Sequence, residues 1–282
     1  MSHGEAPPKR FKMVHRNKPA FIIFYYILLL DKPSKIVYNM IIERSDSVEY
    51  KPKFHMTVEQ NIFVAKRNIV DYIWKSARLE GINVTFPQTY AIIEKSRVNG
   101  VDVEDILKIT NLKHAWQYVF DSIGKPMNLD FLCNLHSEVA RDEALMWGKL
   151  RTGNVFISGT SYVPPIPKAD EVQSAIQRLL TIPDPTERSI VIMLWGMKSQ
   201  LFWDGNKRNS MLAANKIMIE NGCGIISVPN ECLEKFNEIL CDYYTNDTLE
   251  QAKEFVYEHC IDGIDFTEQQ DDEEDEDFTP DM

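Results

Sequence analysis

Two helices are predicted to flank a polar segment near the middle of the sequence, and they constrain the fold more than any other feature. The first begins at Asp184, a capping residue, with Pro185 behind it in the first turn. Residues 190–195 then are apolar on every side, which predicts a helix at the centre of a bundle. The second helix begins near Asn206 and ends before Gly222. The chain is therefore predicted to be mainly α.

The segment between these helices has the properties of a polyphosphate-binding site. Gly205 lets the backbone approach a ligand closely, and the helix that follows directs unpaired N–H groups at an anion. Arg208 can donate paired hydrogen bonds to phosphate oxygens. Asp204 can bind the Mg²⁺ that normally accompanies those phosphates.

The same segment resembles the signature motif of the Fic family, His-x-Phe-x-Asp-Gly-Asn-Gly-Arg-x-x-Arg, and the resemblance spans roughly residues 55–264. The positions that match are Phe202, Asp204, Gly205, Asn206 and Arg208. Three positions differ, because Gln200 replaces the His, Lys207 the second Gly and Met211 the last Arg.

The resemblance implies a Fic-type helical bundle with a small β-hairpin flap over the active site. It also implies transfer of a nucleotide (AMP) from ATP, bound with Mg²⁺, to a Ser, Thr or Tyr hydroxyl of a protein target. Gln200, Asp204 and Arg208 occupy the catalytic positions, and Asp204 is the implied metal ligand. The implied nucleotide-binding residues are Phe202, Gly205, Asn206, Lys207 and Arg208.

The departures from the motif leave the activity open. An imidazole can accept a proton near neutral pH, whereas the carboxamide of Gln200 cannot, and loss of a positioned base removes about 10²–10⁴ of rate. One hypothesis is weak nucleotidyl transfer, and the alternative is a non-catalytic module that binds a nucleotide or peptide. A third is phosphotransfer, since Asn206-Lys207-Arg208 resembles the Doc subgroup of the family. Met211 is predicted to be a core residue.

A hairpin is predicted at residues 155–163, where Ser158-Gly159 separates two β-favouring runs and prolines follow. By resemblance it is the flap that pairs with the backbone of the target. The predicted docking residues are Val155, Phe156, Ile157, Ser158, Gly159, Thr160, Ser161 and Tyr162.

Many Fic proteins carry an inhibitory helix with the pattern Ser/Thr-x-x-x-Glu-Gly/Asn, whose Glu pairs with the last Arg of the motif. Residues 86–107 resemble that segment, with Glu94 as the candidate inhibitory residue. However, Tyr90 and Lys95 depart from the pattern, and Met211 cannot form the ion pair. This favours the ordinary interpretation, in which Glu94 is an exposed helix residue.

Three regions are predicted along the chain: an extension at residues 1–50 with a basic start and a short apolar run, a Fic domain with an N-terminal helical part at residues 51–266, and a disordered acidic tail at residues 267–282. The apolar run is too short to span a membrane. Further helices are predicted from Thr57 to Gly81, over residues 102–120 and 128–147, and in the region from residue 225 to 264.

Composition excludes several classes of function. The net charge of −11 comes largely from the tail, so the body carries no basic surface for nucleic acid. Five widely spaced cysteines without a Cys-x-x-Cys pair argue against both a disulfide framework and a zinc site. They favour a cytoplasmic protein with reduced thiols.

Overall fold

The computed structural model describes residues 49–266, and the mainly α prediction is confirmed there. This part contains ten α-helices and two short strands: α1 Val58–Arg67, α2 Ile69–Leu79, α3 Phe86–Ile93, α4 Val103–Asp121, α5 Leu129–Val139, α6 Ala169–Leu179, α7 Pro185–Ser199, α8 Asn206–Glu220, β1 Ile225–Ile226, α9 Leu233–Asn246, α10 Leu249–His259 and β2 Ile261–Asp262. None of these helices combines the length and the hydropathy needed to cross a membrane. The predictions for residues 1–48 and for the acidic tail lie outside the described residues.

The predicted helix starts are confirmed where a side chain caps the first turn. Thr57 and Gln60 form a reciprocal capping box at α1, with bonds of 3.1 and 2.8 Å. Asp184 accepts two backbone N–H groups of α7 at 2.8 and 2.9 Å. Asn128 accepts one from the first turn of α5 at 2.8 Å. These starts depend on neighbours within three residues, which is why the sequence predicts them.

The helices that flank the polar segment are α7, which was predicted to be central, and α8. Almost every residue of α8 is buried, and α7 is buried along most of its length. The two helices approach closely where Gly196 faces Ser210. A side chain at position 196 would collide with the Ser210 hydroxyl. One apolar cluster lies towards α1–α6 and another towards α9 and α10, and α7 and α8 contribute to both. The pair α7 and α8 therefore positions the side chains of the loop that connects them.

The strands β1 and β2 form a small antiparallel sheet, with Ile225 opposite Asp262 and Ile226 opposite Ile261. The predicted hairpin at residues 155–163 is wrong. Those residues are extended around a turn at Ser158–Gly159, and no strand pairing involves them within residues 49–266. Side chains that favour β-structure do not form a strand without a partner, and this segment instead packs Ile157 and Tyr162 onto the core.

Two predicted helices are shorter than expected. The helix predicted from Thr57 to Gly81 is divided at Asn68 into α1 and α2, because Asn68 adopts a non-helical conformation. The helix predicted over residues 128–147 ends at Val139. The following residues turn, with Asp142 in the left-handed region, and Glu143 is drawn inward to an ion pair with a residue of α8.

Candidate functional site

The loop between α7 and α8 is a tight turn built from two left-handed residues. Gln200 ends α7 with φ 45° and ψ 59°, and Gly205 precedes α8 with φ 70°. A side chain at position 205 would lie 3.1 Å from the Val139 side chain in addition to its backbone strain. The requirement for glycine predicted from the sequence therefore has both a conformational and a packing cause.

Asn206 fixes the shape of this loop. Its Oδ1 accepts the Phe202 N–H at 2.9 Å, and its Nδ2 donates to the Phe202 carbonyl at 2.9 Å. Nδ2 also donates to Oε1 of Gln200 at 3.1 Å, while Nε2 of Gln200 donates to the Met197 carbonyl at 2.7 Å. Both ends of the Gln200 amide are thus engaged within the loop, and neither is a proton acceptor of useful basicity.

His136 on α5 supports the loop from behind. Its ring stacks on Phe202 with centroids 3.8 Å apart, and Nδ1 accepts the Gly148 N–H at 3.0 Å. Because Nδ1 accepts, the ring proton lies on Nε2, which donates to the Asp204 carbonyl at 2.8 Å. Burial lowers the pKa of His136 to about 4, so the ring is neutral at pH 7. His136 is therefore a structural residue of the loop.

The solvent side of the loop carries Asp204 and the start of α8. The Asp204 side chain is 57% exposed, and one of its oxygens accepts the Gly205 N–H at 2.6 Å. The first N–H groups of α8 have no acceptor within the helix and point at the same region. Lys207 lies beside them, with Nζ 3.4 Å from the Leu79 carbonyl. This face fits an anion with its cation, although no group of three His, Cys, Asp or Glu within residues 49–266 could hold a metal alone.

Arg208 lies buried beneath this face and is 2% exposed. Its NH1 donates to both carboxylate oxygens of Glu143, at 2.9 and 3.2 Å, and to the Val139 carbonyl at 3.3 Å. Its Nε lies 3.6 Å from Glu80, and its NH2 lies 3.8 Å from Asp204. Burial alone would lower the pKa of Arg208, but Glu80 and Glu143 raise it above its usual value. The guanidinium is charged and already surrounded by carboxylates.

The glutamate that reaches the motif is Glu80, and Glu94 does not. Glu94 is exposed at the end of α3, whereas Glu80 follows α2 and is 19% exposed beside Arg208. The sequence Ser76-Ala-Arg-Leu-Glu80-Gly81 fits the inhibitory pattern at every specified position. The exposure of Glu94 agrees with its interpretation as an ordinary surface residue, and Glu80 is the glutamate that lies near the motif arginine.

Met211 lies one helical turn after Arg208 and is 5% exposed, in the apolar cluster that includes Leu79 and Tyr244. The prediction of a core residue is confirmed. An apolar side chain replaces a cation here, so Arg208 is the arginine that Glu80 meets.

Arg151 connects residues 153–165 to the loop between α7 and α8. It is 1% exposed, and its guanidinium donates to four backbone carbonyls: Gln200 at 2.5 Å, Gly153 at 2.6 Å, Pro165 at 2.6 Å and Pro164 at 3.1 Å. Burial lowers the pKa of Arg151. Both ends of the segment from Gly153 to Pro165 are therefore fixed to the backbone of Gln200.

The segment of residues 155–162 is extended on both sides of a turn, at which the Thr160 N–H donates to the Ile157 carbonyl at 3.3 Å. Phe156 is 82% exposed at its tip, while Ile157 and Tyr162 turn inward. Tyr162 lies against the ammonium group of Lys198, 5.1 Å from the ring centroid. Val155, Ser158, Gly159, Thr160 and Ser161 complete the segment without strand partners within residues 49–266. Its geometry is compatible with strand addition by an extended peptide.

Known proteins are similar to this chain over part of its length. Residues 126–218 match the model of the Fic/DOC family. The protein adenylyltransferase fic-1 of Caenorhabditis elegans is 24% identical over 171 residues, which are 57% of this chain and 34% of that protein. The protein of the same name from Caenorhabditis briggsae is 24% identical over 172 residues, with the same coverage. The chain spans about a third of the length of these curated relatives.

Solved structures share the fold. A fragment of Fic-1 from C. elegans superimposes with a TM-score of 0.60 at 21% identity, over 69% of this chain and 62% of the fragment. A Fic domain containing signaling protein from Bacteroides thetaiotaomicron gives 0.58 at 17% identity, over 71% of this chain and 84% of that protein. These structures share the fold of this chain, and residues 126–218 match the Fic/DOC family model.

Proposed function

We propose that this protein binds ATP with Mg²⁺ at the loop of residues 200–208 and transfers AMP slowly to a Ser, Thr or Tyr hydroxyl of a protein target. The observation that carries the proposal is the turn fixed by Asn206, which sets the N-terminus of α8 beside the exposed Asp204. Helix N–H groups favour phosphate, and an exposed carboxylate favours the accompanying cation. The similarity to protein adenylyltransferases supports AMP as the group transferred.

Asp204 is the residue that would contact Mg²⁺, through the oxygen that the Gly205 N–H leaves free. Mg²⁺ retains water and phosphate ligands, so one carboxylate is enough, and the ion neutralises phosphate charge when bound. In the reaction, the hydroxyl oxygen forms a bond to the α-phosphorus and the bond to pyrophosphate breaks. The hydroxyl proton must pass to solvent, because Gln200 cannot accept it.

Two further features of the site support a low rate. Met211 contributes no charge, and the guanidinium of Arg208 is engaged by Glu143 and approached by Glu80. We propose Glu80 as an inhibitory carboxylate that occupies the phosphate side of Arg208. Nucleotide binding then requires Glu80 to move away.

The second candidate function is binding without turnover. It is favoured by the Gln200 amide, whose two ends are engaged by Met197 and Asn206 and are not offered to a substrate. Phosphotransfer of the Doc type is the third, and rests on Lys207 beside the start of α8.

The experiment that tests the proposal uses ATP labelled at the α- or the γ-phosphate, in separate incubations with a lysate. Label transfer from the α position, stronger for Glu80→Ala than for wild type, supports AMP transfer. Label transfer from the γ position identifies a phosphotransferase. The absence of transfer from both positions supports binding without turnover. Glu94→Ala is the matched control, because it removes an exposed carboxylate from the end of a neighbouring helix.

Calorimetry with ATP and Mg²⁺ tests the binding step by itself. Asp204→Asn is suited to this, because the side chain is 57% exposed and its loss leaves the core intact. We expect weaker binding of ATP in the presence of Mg²⁺ and a much smaller change without it. Equal affinities for the variant and wild type in Mg²⁺ would contradict the role of Asp204.

A further inference from the structure

The two edges of the Arg208 guanidinium have different surroundings. On the NH1 edge, every contact is a hydrogen bond to a buried group: both oxygens of Glu143 and the Val139 carbonyl. On the opposite edge, Nε and NH2 face Glu80 at 3.6 Å and Asp204 at 3.8 Å, beyond hydrogen-bond distance. Nε of Arg208 and Oε1 of Glu80 are both buried atoms without a hydrogen-bond partner.

Glu143 is itself fixed by a third element. Its side chain is 4% exposed, and its Oε1 accepts from Nδ2 of Asn111 at 2.7 Å. The same Nδ2 donates to the Arg141 carbonyl at 2.7 Å, so Asn111 on α4 ties down the turn that carries Glu143. Asn111 is 2% exposed. The chain from Asn111 through Glu143 to Arg208 is buried throughout, whereas Glu80 and Asp204 approach from the partly exposed side.

A guanidinium binds a carboxylate or a phosphate by donating two parallel N–H groups from one edge. Because Glu143 takes the NH1 edge, the Nε–NH2 edge stays free of hydrogen bonds and faces the region of Asp204. We propose that Glu143 is a positioning residue, which keeps Arg208 oriented with its Nε–NH2 edge available to a nucleotide phosphate once Glu80 withdraws. This inference rests on the proposed function and adds a residue to the same site.

Glu143 and Glu80 then compete for the Arg208 guanidinium, and this competition predicts how the loss of Glu143 should change nucleotide affinity. Without Glu143, Arg208 is a buried charge whose remaining carboxylate neighbours are Glu80 at 3.6 Å and the more exposed Asp204 at 3.8 Å, so Glu80 should move into a full ion pair with it. Loss of Glu143 is therefore expected to strengthen the contact that excludes the nucleotide. If Glu143 instead sequestered Arg208 from the nucleotide, its loss would strengthen binding.

Calorimetry with ATP and Mg²⁺ separates these two cases. We expect Glu80→Ala to bind about tenfold more tightly than wild type and Glu143→Ala about tenfold more weakly, each the equivalent of one charge-assisted hydrogen bond. Asn111→Ala keeps the Glu143 charge but releases its position, and should weaken binding in the same direction to a smaller extent. Glu138→Ala is the matched control, since Glu138 pairs with Arg141 near the end of α5 and does not reach Arg208.

The closing experiment combines this binding series with melting temperatures for wild type, the two single variants and the Glu80→Ala/Glu143→Ala double variant. Glu80→Ala is expected to lower the melting temperature by under about 2 °C alone and by several degrees in the Glu143→Ala background. Equal effects in both backgrounds, or ATP affinity in folded Glu143→Ala at or above the wild-type level, would overturn the proposal. Absence of ATP binding by wild type and by Glu80→Ala refutes the proposed function instead, and the melting temperatures still decide whether Glu143 positions Arg208.

Discussion

Restoring a base at position 200 is the most informative single change, and the expected gain in rate can be stated. We expect Gln200→His, in the Glu80→Ala background, to raise AMP transfer by part of the roughly 10²–10⁴ attributed to a positioned base. That range corresponds to about 2.7–5.5 kcal/mol of activation free energy. The effect should exceed that of Met211→Arg, because the proton of the attacking hydroxyl has no other acceptor in the loop.

The cost of the substitution to the fold is modest. Gln200 loses its hydrogen bonds to Met197 and Asn206, each of which contributes about 0.5–1.5 kcal/mol. Asn206 keeps both of its bonds to Phe202, so the loop retains its main support. Histidine also tolerates a positive φ better than most side chains, which suits the φ of 45° at this position.

The assay is self-modification or target modification with α-labelled ATP, measured across pH. The rate of the histidine variant should rise as the pH increases through about 6.5, because only the neutral imidazole accepts a proton. The Gln200 parent should lack that step, and Gln200→Asn serves as the matched control. The reasoning is refuted if the histidine variant stays at the parental rate while it binds ATP normally.

Three further predictions concern stability. Met211→Arg should lower the melting temperature by roughly 5–10 °C in a thermal melt, because it buries a charge in an apolar cluster; a smaller drop would show that the new arginine finds a partner. The pKa of His136 is lowered to about 4 from 6.5, so the unfolded chain binds a proton at a higher pH than the folded protein does. The free energy of unfolding should therefore decrease by about 3 kcal/mol as the pH falls from 6.5 to 4. Denaturant titrations should show a smaller loss over that interval in His136→Gln, and an equal loss would contradict the assignment. Deleting residues 267–282 should leave the melting temperature within about two degrees, and a larger drop would indicate a docked tail.

The sequence predicted the parts of this fold that depend on near neighbours. The capping box at Thr57 and the apolar run after Asp184 specify their helices from residues within a few positions. The loop of residues 200–206 was also predictable, because the need for Gly205 is a backbone property. What the sequence could not supply was which distant side chains meet, as when Glu143, in the turn after α5, pairs with Arg208 on α8.

Two features of the candidate site depend on which residues lie close together in the fold. The hairpin at residues 155–163 failed because strand formation requires a partner, and composition cannot indicate whether one is present. The proposal of Glu80 as the inhibitory carboxylate rests on distance, since Glu80 lies 3.6 Å from Arg208. The spacing of residues along the chain does not show which glutamate lies near that arginine.

Arg151 has a consequence for how this protein could change its targets. One guanidinium fixes the backbone at Gly153, at Pro164 and Pro165, and at Gln200, so the residues between those points form a closed loop on a rigid base. For such a loop, doubling the length costs only about 0.6 kcal/mol of closure entropy. Insertions or exchanges between residues 154 and 163 that spare the inward-facing Ile157 and Tyr162 should therefore alter what the protein contacts, while the turn before α8 keeps its geometry. Under the proposed function, the choice of target and the phosphate chemistry would then depend on different parts of the chain.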